Sequence, residues 1–93
     1  MKIQSLTIDS AKELSRLNEL NFNDGWTESM ITSAFNGGRF FAFGAINEEN
    51  LVGSVTISLG DEDADIEGIV VDKEQRGKGI ALQLINLAHQ HHV

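Results

Sequence analysis

The sequence predicts an α+β fold, a mostly antiparallel four-stranded sheet carrying three helices. Three observations predict it. Four short stretches, over residues 2–8, 39–47, 51–59 and 64–71, are rich in apolar, β-branched or aromatic residues and bounded by turn residues. The last three follow one another across short polar loops, as antiparallel hairpins do. Three other stretches carry apolar residues at helical spacing, over about 11–21, 28–36 and 79–91.

The first strand is marked by Ile3, Leu6 and Ile8 among polar neighbours. Ser10 and Glu13 then have the spacing of a capping box, with Asp9 just before them. Leu14, Leu17 and Leu20 carry the first helix on from there. Asn23-Asp24-Gly25 is a turn signal. Thr27 is placed to cap a second helix, with Trp26 and Ile31 at the two positions of a hydrophobic staple. That helix stops at Asn36-Gly37-Gly38, where glycine takes a left-handed conformation without steric cost.

The second strand, Arg39 to Asn47, holds Phe40, Phe41 and Phe43, which together with Trp26 read as core. Glu48-Glu49-Asn50 reads as a hairpin loop. In the third strand Val55 and Ile57 fall on one face and Ser54, Thr56 and Ser58 on the other. An acidic turn follows; its cluster Asp61, Glu62, Asp63 and Asp65 reads as a solvated surface rather than an amine-attracting rim. The fourth strand, Ala64 to Val71, ends in the apolar run Ile69-Val70-Val71, which predicts burial on both faces. The last helix carries Ile80, Ala81, Leu84, Ile85, Leu87 and Ala88 on one stripe, opposite Gln83, Asn86 and Gln90.

Composition narrows the functional classes. The 93 residues form a single small domain. A chain this short buries roughly 60–65% of its unfolded surface, so its stability margin is thin. Without cysteine it has neither disulfides nor thiolate zinc sites. No apolar run is long enough to span a membrane, and no basic-then-apolar leader is present, so the expected location is cytoplasmic and no membrane partner is expected. The net charge of −7 argues against a nucleic-acid partner and suits a cationic one such as an amine. His89, His91 and His92 lie at the end of the last helix and do not read as a metal site.

The chemistry concentrates in Ile69-Val70-Val71-Asp72-Lys73-Glu74-Gln75-Arg76-Gly77-Lys78-Gly79-Ile80-Ala81: a buried strand, a polar loop and a glycine-rich approach to an amphipathic helix. The first amides of a helix have no intrahelical acceptor, and the helix dipole makes that end positive. Glycines 77 and 79 let a ligand approach the backbone, and a pyrophosphate would fit there. It is not a Walker loop, since no Ser or Thr follows Lys78. It is not a dinucleotide fingerprint, since Gly79 has no glycine three residues later. The acidic balance argues against an RNA-binding glycine loop.

Arg76-x-x-Gly79-x-Ala81 resembles the coenzyme A signature of the GNAT superfamily of N-acetyltransferases. Ile69-Val70-Val71-Asp72 is similar to the end of that family's fourth strand, and the order of elements is the family's too. Bacterial ribosomal-protein-alanine acetyltransferases are the members it resembles most. The resemblance implies acetyl-CoA as cosubstrate, no metal, and a small-molecule or peptide amine as acceptor. It implies that backbone groups of Ile69 and Val71, in the run with Val70, hold the pantetheine arm. Amides of Arg76, Gly77, Lys78, Gly79, Ile80 and Ala81 would hold the pyrophosphate, with the Arg76 or Lys78 side chain as a further phosphate contact. Glu67, two residues before Ile69, stands where some members carry a catalytic glutamate, and a bulge in the strand decides which way it faces.

The resemblance also implies what these residues do not encode. The family's fifth strand, fourth helix and last two strands are missing, so the expectation is an incomplete GNAT domain over residues 1–93, a short variant or fragment. The family's general-acid tyrosine has no counterpart, since the chain contains no tyrosine. The fourth strand would then expose an unpaired edge, open to self-association. Two functions follow: acetyl transfer to a primary amine, or a non-catalytic module that binds coenzyme A or docks a partner.

Overall fold

Each strand pairs with the next in chain order, β1-β2-β3-β4, and every pairing is antiparallel. The computed structural model describes residues 1–21 and 26–91. The Asn23-Asp24-Gly25 turn, His92 and the His91 side chain lie outside the described residues. The strands are β1 (Lys2–Leu6), β2 (Phe40–Asn47), β3 (Asn50–Leu59) and β4 (Ala64–Val71). The helices are α1 (Ala11–Asn21), α2 (Glu28–Asn36) and α3 (Ile80–His91).

The sheet separates two apolar clusters. Leu6, Phe40, Ala42 and Val70 pack against Leu14 and Leu17 of α1 and Ile31 of α2. Phe40 anchors that side, stacking on Trp26 at 5.4 Å and meeting the edge of Phe35 at 4.9 Å. Ala45, Val55, Ile57 and Val71 pack against Ile80, Leu84 and Ala88 of α3, with Phe41 and Phe43 half-buried beside them. Val70 and Val71 thus enter opposite clusters, as the apolar run at the end of β4 predicts. Ser54, Thr56 and Ser58 face the α1/α2 side, because Ser58 lies opposite Phe40 and Thr56 opposite Ala42. Ser54 Oγ is buried without a partner among the described residues, a defect that typically costs about 1–3 kcal/mol.

The local chemistry explains most boundaries. Thr27 caps α2 as expected, its hydroxyl accepting from the Met30 amide at 3.2 Å, and Trp26 joins Ile31 in one cluster. Gly38 ends that region at φ 76°. The exposed acidic turn after β3 is closed by the Gly60 amide donating to the Asp63 carbonyl, while Asp61 pairs with Arg39 at 3.0 Å. Three expectations need correction. β1 stops at Leu6, and Ile8 already belongs to a 3₁₀ turn, Ile8–Ser10. The cap at that point is Thr7, which accepts from the Asp9 amide, and not Ser10. Ser10 is helical one turn too early to cap, and its amide donates to the Thr7 carbonyl. In the β2–β3 hairpin Asn50 pairs with Asn47, so the loop is only Glu48-Glu49, both at positive φ.

Candidate functional site

Backbone direction at the end of β4 comes from one hydrogen bond. The Asp72 amide donates inward to the Val52 carbonyl at 2.8 Å. In a strand the N–H and C=O of one residue point to the same side, and successive residues alternate. Val70 therefore turns its backbone groups toward β3, while Ile69 and Val71 turn theirs to the outer edge. β4 is an edge strand of the described sheet, so that side carries no neighbouring strand. The Val71 carbonyl is instead taken by the Arg76 side chain, whose Nε donates to it at 3.1 Å. Of the three candidate strand residues, Ile69 and Val71 reach the edge and Val70 does not.

Beyond β4 the chain makes a short 3₁₀ turn, Lys73–Gln75, closed by the Gln75 amide on the Asp72 carbonyl at 2.9 Å. Gly77 and Gly79 then adopt φ of 85° and 77°, a conformation side-chain-bearing residues avoid. A methyl group built on either would meet nothing within 4 Å, so the space above both is open. The first helical bond of α3 runs from the Gln83 amide to the Gly79 carbonyl at 3.1 Å. The amides from Gly77 to Ala81 have no backbone acceptor among the described residues. Gly77, Gly79, Ile80 and Ala81 border a cavity of about 260 Å³, formed with Val71, Gln75 and Arg76. Lys78 leans over the loop, its Nζ donating to Gln75 Oε1 at 3.1 Å. The arrangement is a positively polarised helix end under an unfilled space, next to an unpaired strand edge. It can hold an anion by main-chain donors and an extended amide-bearing arm along the strand.

A larger cavity, of about 640 Å³, lies elsewhere, along α1 beside α2 and the β2–β3 hairpin. Its rim mixes Lys12 and Arg16 with Glu13, Glu19, Glu28 and Glu49. No glycine among the described residues lines it, and the α2 start beside it is already capped by Thr27, so size alone does not make it the better anion site.

Glu67 lies on β4 away from this mouth, at a break in register. Thr56 faces Gly68 and Ile57 faces Ile66, which leaves Glu67 as the extra residue of a β-bulge. Its exposed carboxylate accepts from Ser58 Oγ at 2.6 Å, which places it on the α1/α2 face of the sheet. Sequence reading placed Ser58 on the face opposite Val55 and Ile57 without linking it to Glu67, and gave Gln75 no role; a polar position at period two was the only signal for Ser58. Among the described residues no group of three or more His, Asp or Glu is gathered to hold a metal.

The sequence profile of the acetyltransferase (GNAT) family matches residues 9–92. The chain belongs to that family. Solved structures agree. A ribosomal-protein-alanine N-acetyltransferase from Brucella melitensis superposes with a TM-score of 0.78 at 25% identity, over 96% of this chain and 69% of that one. An aminoglycoside acetyltransferase from an uncultured soil metagenomic sample, in complex with sisomicin, gives 0.79 at 25% identity, over 96% and 67%. An aminoglycoside N-acetyltransferase in complex with CoA gives 0.78 at 16% identity, over 96% and 66%, and speaks to fold alone. This GNAT chain thus spans about two thirds of the length of those structures. No curated protein matches it in sequence. The four antiparallel strands and three helices are the α+β arrangement of the GNAT fold. No helix among the described residues is long and apolar enough to cross a membrane.

Proposed function

We propose that this chain carries the acetyl-coenzyme A-binding part of an N-acetyltransferase that acetylates a primary amine, as a single incomplete domain over residues 1–93. The observation that carries the reading is the mouth of α3. There two glycines at positive φ leave open space over a run of unpaired amides, beside the outward-facing backbone of Ile69 and Val71. Acetyl-coenzyme A, when bound, supplies an activated acetyl thioester. The amides of Gly77 to Ala81 bind its diphosphate. The edge groups of Ile69 and Val71 orient the pantetheine arm, and the Val71 carbonyl becomes available when Arg76 releases it. Glu67 serves as the base that takes a proton from the attacking amine, directly or through one water. The departing thiolate takes up a proton, for which the family's tyrosine has no counterpart among these 93 residues. The acceptor class is a protein or small-molecule amine, as the names of the structural neighbours suggest; the location proposed with it is cytoplasmic.

Calorimetric titration with coenzyme A and an acetyl-transfer assay on amine and peptide acceptors test the two halves of this reading. Saturable binding with turnover supports it, and absence of binding rejects it. Binding without turnover would support a non-catalytic coenzyme-binding module. The open edge of β4 would also pair with a second copy of the chain. If both occupants use that edge, saturating coenzyme A shifts the chain toward monomer in sedimentation velocity; an unchanged distribution rejects the shared edge.

A further inference from the structure

We infer that Ser58 is a positioning residue for the Glu67 carboxylate, and that the bulge in β4 is what brings the two together. The inference deepens the reading of Glu67 as the base and rests on it.

A regular ladder would run Asp65 opposite Ser58, Ile66 opposite Ile57 and Glu67 opposite Thr56. The observed register keeps the first two pairs and then places Gly68 opposite Thr56. Glu67 is left without a cross-strand partner, and its side chain leans back toward Ser58. Ser58 has a carboxylate directly opposite, that of Asp65, yet its hydroxyl donates to Glu67 Oε1 at 2.6 Å. That distance lies in the range of a charge-assisted O–H···O⁻ bond, stronger than a neutral one.

The two partners differ in stiffness. Ser58 sits on a strand held on both sides and has one side-chain torsion, so its oxygen is nearly fixed by the sheet. Glu67 is exposed and has three torsions, so without a tether it would sample many rotamers. The bond commits Oε1 and selects one orientation. Among the described residues no donor takes Oε2, which leaves it to receive the proton of an amine or a bridging water. The balance is simple: the N–H bond of the attacking amine breaks, an O–H bond forms at Oε2, and Oε1 goes on accepting from Ser58. The carboxyl then returns its proton to solvent.

The test compares Ser58→Ala, Ser58→Thr, Glu67→Gln and the Ser58→Ala/Glu67→Gln double variant, with two readouts. In acetyl transfer, Ser58→Ala should lower kcat about tenfold with KM for acetyl-CoA unchanged. Ser58→Thr should restore it to within about threefold, and the double variant should be no slower than Glu67→Gln alone. A kcat for Ser58→Ala within twofold of the parent, or multiplying effects in the double variant, would overturn the inference while leaving the function standing. The second readout needs no turnover. Scalar couplings of the Glu67 side chain in solution should report one dominant rotamer in the parent and in Ser58→Thr, and averaging in Ser58→Ala. Averaged couplings in the parent would overturn the inference even in a chain that transfers no acetyl group, where the function itself would have failed.

Discussion

The mouth of α3 and the β2–β3 hairpin make the same demand on the backbone and meet it with opposite residues. Gly77 and Gly79 stand at φ 85° and 77°, and Glu48 and Glu49 at 51° and 70°. A left-handed conformation costs an ordinary L-residue about 1–2 kcal/mol. The hairpin accepts that strain because its register, Asn47 against Asn50, leaves only two residues to reverse the chain. Both glutamates are exposed, Glu49 at the rim of the mixed-charge cavity along α1. The mouth avoids the strain and, by having no side chains, also keeps the space above its amides open. Relief of strain alone would make the two turns equivalent. The account holds that they are not, because only the α3 mouth has something to bind.

The sharpest way to break that comparison is Gly79→Val. A β-branched residue cannot hold this φ without distortion, and its methyls would fill the space over the amides. Coenzyme A affinity by calorimetry should fall at least about 30-fold, or roughly 2 kcal/mol. Circular dichroism should remain that of the parent. Next in size is the hairpin. Glu48→Asn/Glu49→Gly supplies the residues that such a turn favours, and should stabilise the chain by about 1 kcal/mol. For a domain of this size the melting temperature should rise by about 4–8 °C, with coenzyme affinity unchanged. A rise in affinity as well would mean that the hairpin is coupled to the site. The smallest effect belongs to Arg76→Ala, which removes a side chain from a main-chain cradle and should weaken coenzyme A about two- to threefold. Equal losses for Arg76→Ala and Gly79→Val would show that the cradle is not built from amides.

What could be read beforehand was whatever a short window determines. The stripe of α3, the extent of α1, the Thr27 cap and both ends of β4 follow from spacing and end chemistry within a few residues. The cap before α1 moved to Thr7 because a 3₁₀ turn starts the helical run early, and two neighbouring polar residues offer the same local signal. The hairpin loop was read one residue too long, because the pairing of Asn47 with Asn50 is set by the register of β2 on β3 and has no local marker. The candidate residues at the α3 mouth were legible because their chemistry is a run of glycines before a helix. The inward turn of the Val70 backbone and the Ser58–Glu67 bond were not. Both depend on how β3 and β4 align, and the bulge that sets that alignment has no marker in either strand alone.

The central claim is that main-chain amides at the start of α3 receive the diphosphate of coenzyme A. Amide chemical shifts of ¹⁵N-labelled chain during titration with coenzyme A test it most directly. The account predicts that Gly77 to Ala81 move first and furthest, with Ile69 and Val71 moving as the arm docks on the edge of β4. Saturable shifts confined to the cavity along α1, with those amides silent, would contradict it.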